Sequence, residues 1–309
     1  MLKEQRFGVE IEMTGITRER AASIVANMFG SIVSGPVYDA YYTRKILDSQ
    51  CRVWKVMRDS SIDPVRNDGS RDALDEYRVE LVTPPLNYAD IETLQEIVRS
   101  LREAGAKANA SCGIHVHVDG ANHNPESLRR LVNFFTARQD LIYESLEIGA
   151  RGNRWCKKTD KRLLDAMKKE GKNLTKQKAE EIWYSPANDY YYGGINHSHY
   201  NETRYHGLNL HAWFTKGTVE FRLFNGTLHA GKIKAYVQFC LAMSAWAITS
   251  TDNISFRSIE NYTAEEKVRI WRNILTKRLG LVGDEFKTCR LHLMRPLEIA
   301  AGMRTREAA

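Results

Sequence analysis

Cysteine is scarce in this chain and follows no pattern. Cys51, Cys112, Cys156, Cys240 and Cys289 are odd in number, widely spaced and free of any Cys-X-X-Cys pair. That argues against a disulfide framework and a zinc knuckle, and fits a reducing compartment. Long apolar runs are missing too. The most apolar stretch, Ala235 to Ile248, is interrupted by Gln238 and Ser244; a membrane span needs roughly 18 apolar residues in succession, so no membrane partner is expected. The opening residues are charged and pass at once into a strand-like run, so no signal peptide is expected and a cytoplasmic location is. There is no internal repeat or low-complexity tract. Acidic charge is in deficit: 38 acids face 45 Lys and Arg, a net of +7, and Ala150 to Lys178, with 11 basic and 3 acidic residues, holds +8 by itself.

Against these absences stand five short strand-like segments. Side chains on a strand alternate faces with period two. In Phe7 to Met13 the apolar residues Phe7, Val9, Ile11 and Met13 share one face, leaving Glu10 and Glu12 on the other. The same alternation sets Arg78 and Glu80 opposite Tyr77, Val79 and Leu81, and sets His115, His117 and Asp119 opposite Ile114, Val116 and Val118. Gly207 to Ala212 reads as a strand presenting Asn209 and His211, and Thr218 to Phe224 as one presenting Glu220 and Arg222. Taken singly, each is ordinary: a solvated sheet face, a polar surface or an exposed ion pair. In order, they make one polar face.

Carboxylates two residues apart on a strand lie roughly 7 Å apart and repel by about 2 kcal/mol at an effective dielectric near 20. Glu10, Glu12, Glu80 and Glu220 would not gather without cations. An oxygen-rich set with few imidazoles suits magnesium or manganese better than zinc. Arg222, on the same face as Glu220, is placed to meet phosphate oxygens that bridge to such metals.

Gly8-Val-Glu-Ile-Glu12, Val79 to Leu86, Cys112 to Asp119 and Val219 to Gly226 resemble, in order, the motifs of the putative amidoligase family, carboxylate-amine ligases related to glutamine synthetase and glutamate-cysteine ligase. Trp54 to Ser61 and Arg204 to Leu210 support the resemblance. It implies ATP and Mg2+ (or Mn2+) as cofactors, with a carboxylate and an amine as substrates, on an amino acid, a peptide or a protein tail. It further implies that Glu10, with His115 and Glu220, ligates the metal near the nucleotide, that Glu12 and Glu80 hold the metal nearer the acceptor, and that His117 contacts nucleotide phosphate. Arg222 would stabilise the transferring phosphoryl group, with Glu220 beside it in the catalytic set. The family carries a further acid between the first and second motifs; Asp59, Asp75 and Glu76 all qualify.

The remaining spacing gives helices. Thr17 caps one with Ala21, Ile24, Val25 and Met28 inward, ended by Gly30. Others run from about Asp90 to Glu103, from Asn124-Pro125 to about Gly149, from Lys232 to Thr249, and from a capping box at Thr263 to Glu266. The clearest loops are Gly35-Pro36 and Asp63 to Asp72, and fraying is expected from about Gly302. The fold class is α+β, an antiparallel sheet with helices on its outer, apolar face; the resemblance adds that the sheet is curved, as in the glutamine synthetase catalytic domain. A single domain over 1–309 is expected, with a basic insertion at about 150–205. The insertion reads either as a solvated, partly helical segment or as a functional one, with Arg151 or Arg154 reaching nucleotide phosphates or its lysines docking an acidic partner. Asn209 is a further nucleotide-contact candidate, Asp189 to Gly194 a candidate lid, and Cys112 a core residue by its parity with Ile114.

Two other functions compete. A guanidino-type phosphotransferase would build its phosphate site from arginines, against the Glu and His set here. A nucleic-acid-binding module would use the basic segment but leaves the acidic face unexplained. Oligomeric state and substrate identity stay open.

Overall fold

The computed structural model describes residues 1–36, 39–71, 73–256 and 258–305. Asp72, which closes the expected loop, and the last four residues of the expected frayed tail lie outside them. The strands are β1 (Phe7–Met13), β2 (Val33–Ser34), β3 (Arg44–Leu47), β4 (Val53–Met57), β5 (Val79–Val82), β6 (Gly113–Asp119), β7 (Leu208–Asn209) and β8 (Thr218–Asn225), in sheet order β2-β3-β4-β5-β1-β6-β8-β7. The pairings β1 with β5, β2 with β3, β3 with β4, β4 with β5 and β7 with β8 are antiparallel. The helices are α1 (Arg18–Phe29), α2 (Ile91–Glu103), α3 (Pro125–Ser145), α4 (Lys161–Glu170), α5 (Lys176–Trp183), α6 (His211–Lys216), α7 (Ala230–Thr249), α8 (Ala264–Asn273) and α9 (Lys287–Ala300). The α+β expectation holds, and no helix of the described residues is long and apolar enough to cross a membrane. The chain divides into two compact units: Lys3–Val116 with Phe224–Val237, and Met1–Leu2 with His117–Leu223 and Gln238–Ala309.

In the first unit, alternation in β1 buries Phe7, Val9, Ile11 and Met13 completely or nearly so. Helix α1 begins at the Thr17 cap and ends at Gly30, whose positive φ suits glycine. It packs on β3, β4 and β5 and buries the expected Ala21 and Val25 together with Ala22 and Ala26, whereas Ile24 is half-buried and Met28 is exposed. Small side chains on that face let the helix approach the sheet closely. Helix α2 buries Ile91, Leu94, Val98 and Leu101 as its spacing predicts. The β3–β4 hairpin, unanticipated in the sequence, is tied by Asp48, which accepts hydrogen bonds from Arg52 and from the Trp54 indole.

In the second unit, Asn124 and Ser127 cap α3 reciprocally, with Pro125 in the first turn. The helix stops at Ser145, four residues short of the expected Gly149. The basic insertion has an apolar underside: α4 buries Leu163, Leu164 and Met167, and α5 buries Ala179, Ile182 and Trp183. Helix α8 opens on the predicted Thr263 and Glu266 capping box. A π-helical turn, Ile274–Arg278, follows it, and α9 packs back on α8 and α3.

His123, at the foot of α3, shows what burial does to a titratable group. Its ring nitrogens contact Ser127 at 3.1 Å and Ser244 at 2.8 Å. Burial, with help from the Arg130 charge, pulls its pKa down to about 4. Between an unfolded-state value of about 6.5 and the folded value, the unfolded chain binds a proton that the folded site refuses. Stability therefore falls as pH drops from about 6.5 toward 4. In His123→Asn the slope of melting temperature against pH in that window should lose one proton's share. Identical slopes in the two proteins would refute the assignment.

Candidate functional site

Strand register brings the acids of the first unit together. Glu12 on β1 lies directly across from Glu80 on β5, and Glu80 lies across from Met57 at the end of β4. Asp59 follows two residues later, its carboxylate accepting the Ser61 N–H at 2.7 Å. Opposed like charges on neighbouring strands are destabilising, yet donor atoms of Glu12, Asp59 and Glu80 lie within 4.8 Å of one another, as do those of Glu10, Glu80 and His115. Glu12 and Glu80 are buried and Glu10 is partly so. The donors are mostly carboxylate oxygens, which fits a hard divalent cation.

Two contacts hold the set in place. The Gly113 N–H donates to Glu12 Oε2 at 2.6 Å. His115 Nδ1 lies 2.8 Å from Glu10 Oε2, and its Nε2 lies 3.6 Å from Glu12 Oε1. Among the three candidates for the further acid, only Asp59 joins a donor group among the described residues. Asp75 is engaged by Arg18, Arg58 and Arg78 instead. Burial pushes its carboxyl upward, but hydrogen bonds from Arg58 and Arg78 outweigh this and hold it below the usual carboxylate range. Glu76 is exposed at the turn Asp75–Tyr77. Because Tyr77 sits in that turn, β5 begins later than expected, and Arg78 turns from the polar face to Asp75 and the Ile62 carbonyl.

The second unit holds a polar cluster of its own. Glu220 on β8 accepts Asn209 Nδ2 at 2.7 Å through one oxygen and Arg222 Nη1 at 3.0 Å through the other. All three residues are buried. The Arg222 guanidinium lies 5.6 Å from the Tyr205 ring centroid, a stacking that no sequence signal announces. His117 Nδ1 sits 3.0 Å from Thr218 Oγ1. Arg151 is half-buried, and burial raises the Cys156 thiol pKa against the opposing charges of Arg151 and Arg222. Arg154 is exposed and lies over the Trp155 ring, 4.4 Å from its centroid.

His211 does not lie on a strand. Asn209 Oδ1 accepts the His211 N–H at 2.9 Å, a side-chain bond that competes with the sheet ladder, so β7 ends at Asn209 and His211 opens α6. Its Nδ1 meets the Tyr184 hydroxyl at 2.5 Å. Burial, followed by the Arg204 charge, pulls the His211 pKa down to about 4. Cys112 is buried as its parity predicts, with the Gly226 backbone so close that a Cβ at 226 would clash with the Cys112 backbone at 2.9 Å.

The family described as Putative amidoligase enzyme matches residues 3–244, which takes in every residue named in this section. No curated protein matches the chain.

Proposed function

We propose that this chain, which belongs to the putative amidoligase enzyme family, is an ATP- and magnesium-dependent carboxylate-amine ligase that forms an amide through an acyl-phosphate intermediate. The observation that carries the reading is the opposed pair Glu12 and Glu80 with Asp59 beside it: partly buried acids at this density need a cation to be tolerated. Glu12, Asp59 and Glu80 would hold one divalent ion, and Glu10, Glu80 and His115 are the donors for another. Bound magnesium supplies positive charge against the phosphate oxygens and developing anions.

The need for ATP follows from the chemistry. A carboxylate resists attack by an amine because resonance and charge deactivate it, so its oxygen must first accept a phosphoryl group. Arg222, oriented by Glu220 and Tyr205, neutralises charge on that group during transfer. The amine then attacks the acyl carbon, the C–O bond to phosphate breaks, and the amine proton leaves as the amide forms. On this reading the sheet is a glutamine synthetase-like catalytic sheet and residues 1–309 act as one catalytic domain. His117, Asn209, Arg151 and Arg154 stand as nucleotide-contact candidates, Asn209 also as the clamp on Glu220.

The test is calorimetric titration of a non-hydrolysable ATP analogue into wild type and Glu10→Ala, with and without magnesium. Magnesium-dependent binding that disappears in the variant, with circular dichroism unchanged, is the expected result. No binding in either protein would remove the nucleotide site, and equal binding in both would remove Glu10 from it. Release of free phosphate in the presence of an acceptor separates a ligase from a phosphotransferase, which leaves the phosphate on its product.

A further inference from the structure

Residues 190–201 carry no helix or strand, a long irregular segment for a compact domain. The segment is nonetheless held. Tyr190 is buried and its hydroxyl contacts Asn196 and Asn201; His197 Nε2 lies 2.6 Å from Glu180, and Asp189 pairs with Arg162. Large side chains stand among its exposed residues. Tyr191, Tyr192, Ile195 and Tyr200 are 68, 77, 45 and 63% exposed, and solvent-facing tyrosines on a held loop, set among Gly, Asn, Ser and His, are the chemistry of a recognition loop.

From Tyr200 a ladder of rings and guanidinium groups leads inward. Arg204 lies 5.9 Å from the Tyr200 centroid and 5.7 Å from the Tyr205 centroid, and Arg222 lies 5.6 Å from Tyr205 on the same scale. The Trp155 ring meets Tyr205 edge-on at 5.5 Å and carries Arg154 on its face. Among the described residues neither Arg204 nor Arg154 is paired with a carboxylate; Arg204 donates to the His199 carbonyl instead. Both guanidinium groups lie beside aromatic rings, and a planar guanidinium can donate two parallel hydrogen bonds to a carboxylate.

We infer that the loop and this ladder are the docking surface for a short polypeptide segment, its free carboxylate taken at Arg204 and its preceding residues laid against Tyr200 and Tyr192. The inference rests on the ligase reading, because it names the class of carboxylate substrate. Arg204 lies 5.9 Å from the Tyr200 centroid, so a chain end held at the guanidinium brings the residue before it against that ring. A nucleic acid fits the surface less well: between residues 180 and 205 Arg204 is the one Lys or Arg, which suits a single carboxylate rather than a run of phosphates.

An array of pentapeptides, printed once with free C-terminal carboxylates and once as C-terminal amides, tests this against the full-length protein without nucleotide or metal. Free acids should be retained about tenfold better than their amides, and competed by free glutamate only weakly. Arg204→Gln and Tyr200→Ser should each cut retention about tenfold, while Tyr200→Phe keeps it. Equal retention of acids and amides, no peptide retained, or stronger retention of an oligothymidylate strand would each overturn the inference. Failure of the ligase reading shows elsewhere, as loss of magnesium-dependent nucleotide binding, so the two outcomes stay distinct.

Discussion

Glu12→Gln should raise the melting temperature of the metal-free protein and abolish the further rise that magnesium or manganese produces in wild type. The two effects have opposite sign because the same carboxylate is harmful without a cation and necessary with one. Donor atoms of Glu12, Asp59 and Glu80 come within 4.8 Å, where two full charges repel by about 3 kcal/mol at an effective dielectric near 20. Glutamine keeps an oxygen for the Gly113 N–H that Glu12 accepts at 2.6 Å, so the local backbone is retained while the charge goes. Relief of even about 1 kcal/mol of repulsion raises the midpoint of a chain this size by roughly 2 °C. Wild type at a hundredfold excess of metal over its dissociation constant gains about 2.7 kcal/mol; the variant should gain almost none. Thermal shift measured with and without each ion decides it. A variant that melts lower than wild type without metal and still responds fully to magnesium would show that Glu12 serves the fold alone.

The parts of this site legible in the sequence are those set by local periodicity. Alternation alone places Glu10 and Glu12 opposite Phe7, Val9, Ile11 and Met13, and it does the same for His115, His117, Glu220 and Arg222. Caps at Thr17, Asn124 and Thr263 were equally readable, because a cap is a contact between residues three apart. What could not be read depends on register between distant strands. Asp59 and Asp75 look alike as loop acids near arginines, and only the pairing of β4 with β5 brings the first to Glu80 and leaves the second among Arg18, Arg58 and Arg78. Two alternating runs, Arg44 to Leu47 and Val53 to Met57, did carry a signal for the β3–β4 hairpin, weakened by their short length and by apolar residues, Leu47 and Val53, at two of the four exposed positions. His211 was misplaced for a different reason. An Asn at the end of a strand pattern can bond its own backbone two residues on, and Asn209 does so, converting the last two strand positions into the start of a helix.

Arg222→Ala should leave metal binding close to wild type and lower the turnover number by a factor of about 100 to 1000. Arg222 is held from two sides, by Glu220 Oε1 at 3.0 Å and by the Tyr205 ring. A cation fixed before the reaction needs no reorganisation when charge shifts onto the transferring group, and that is the source of its expected effect. The alternative is that the pair with Glu220 serves the fold: breaking a buried ion pair from one side leaves an uncompensated charge and destabilises strongly. The two roles separate by adding Arg222→Lys. Lysine keeps a charge to pair with Glu220 but cannot present two parallel donors to a phosphoryl oxygen pair, so it should restore thermal stability while recovering little of the turnover. Arg222→Lys with near wild-type turnover would reduce the residue to a point charge. Arg222→Ala with near wild-type turnover would remove it from the mechanism and leave Glu220 to be explained by Asn209 alone.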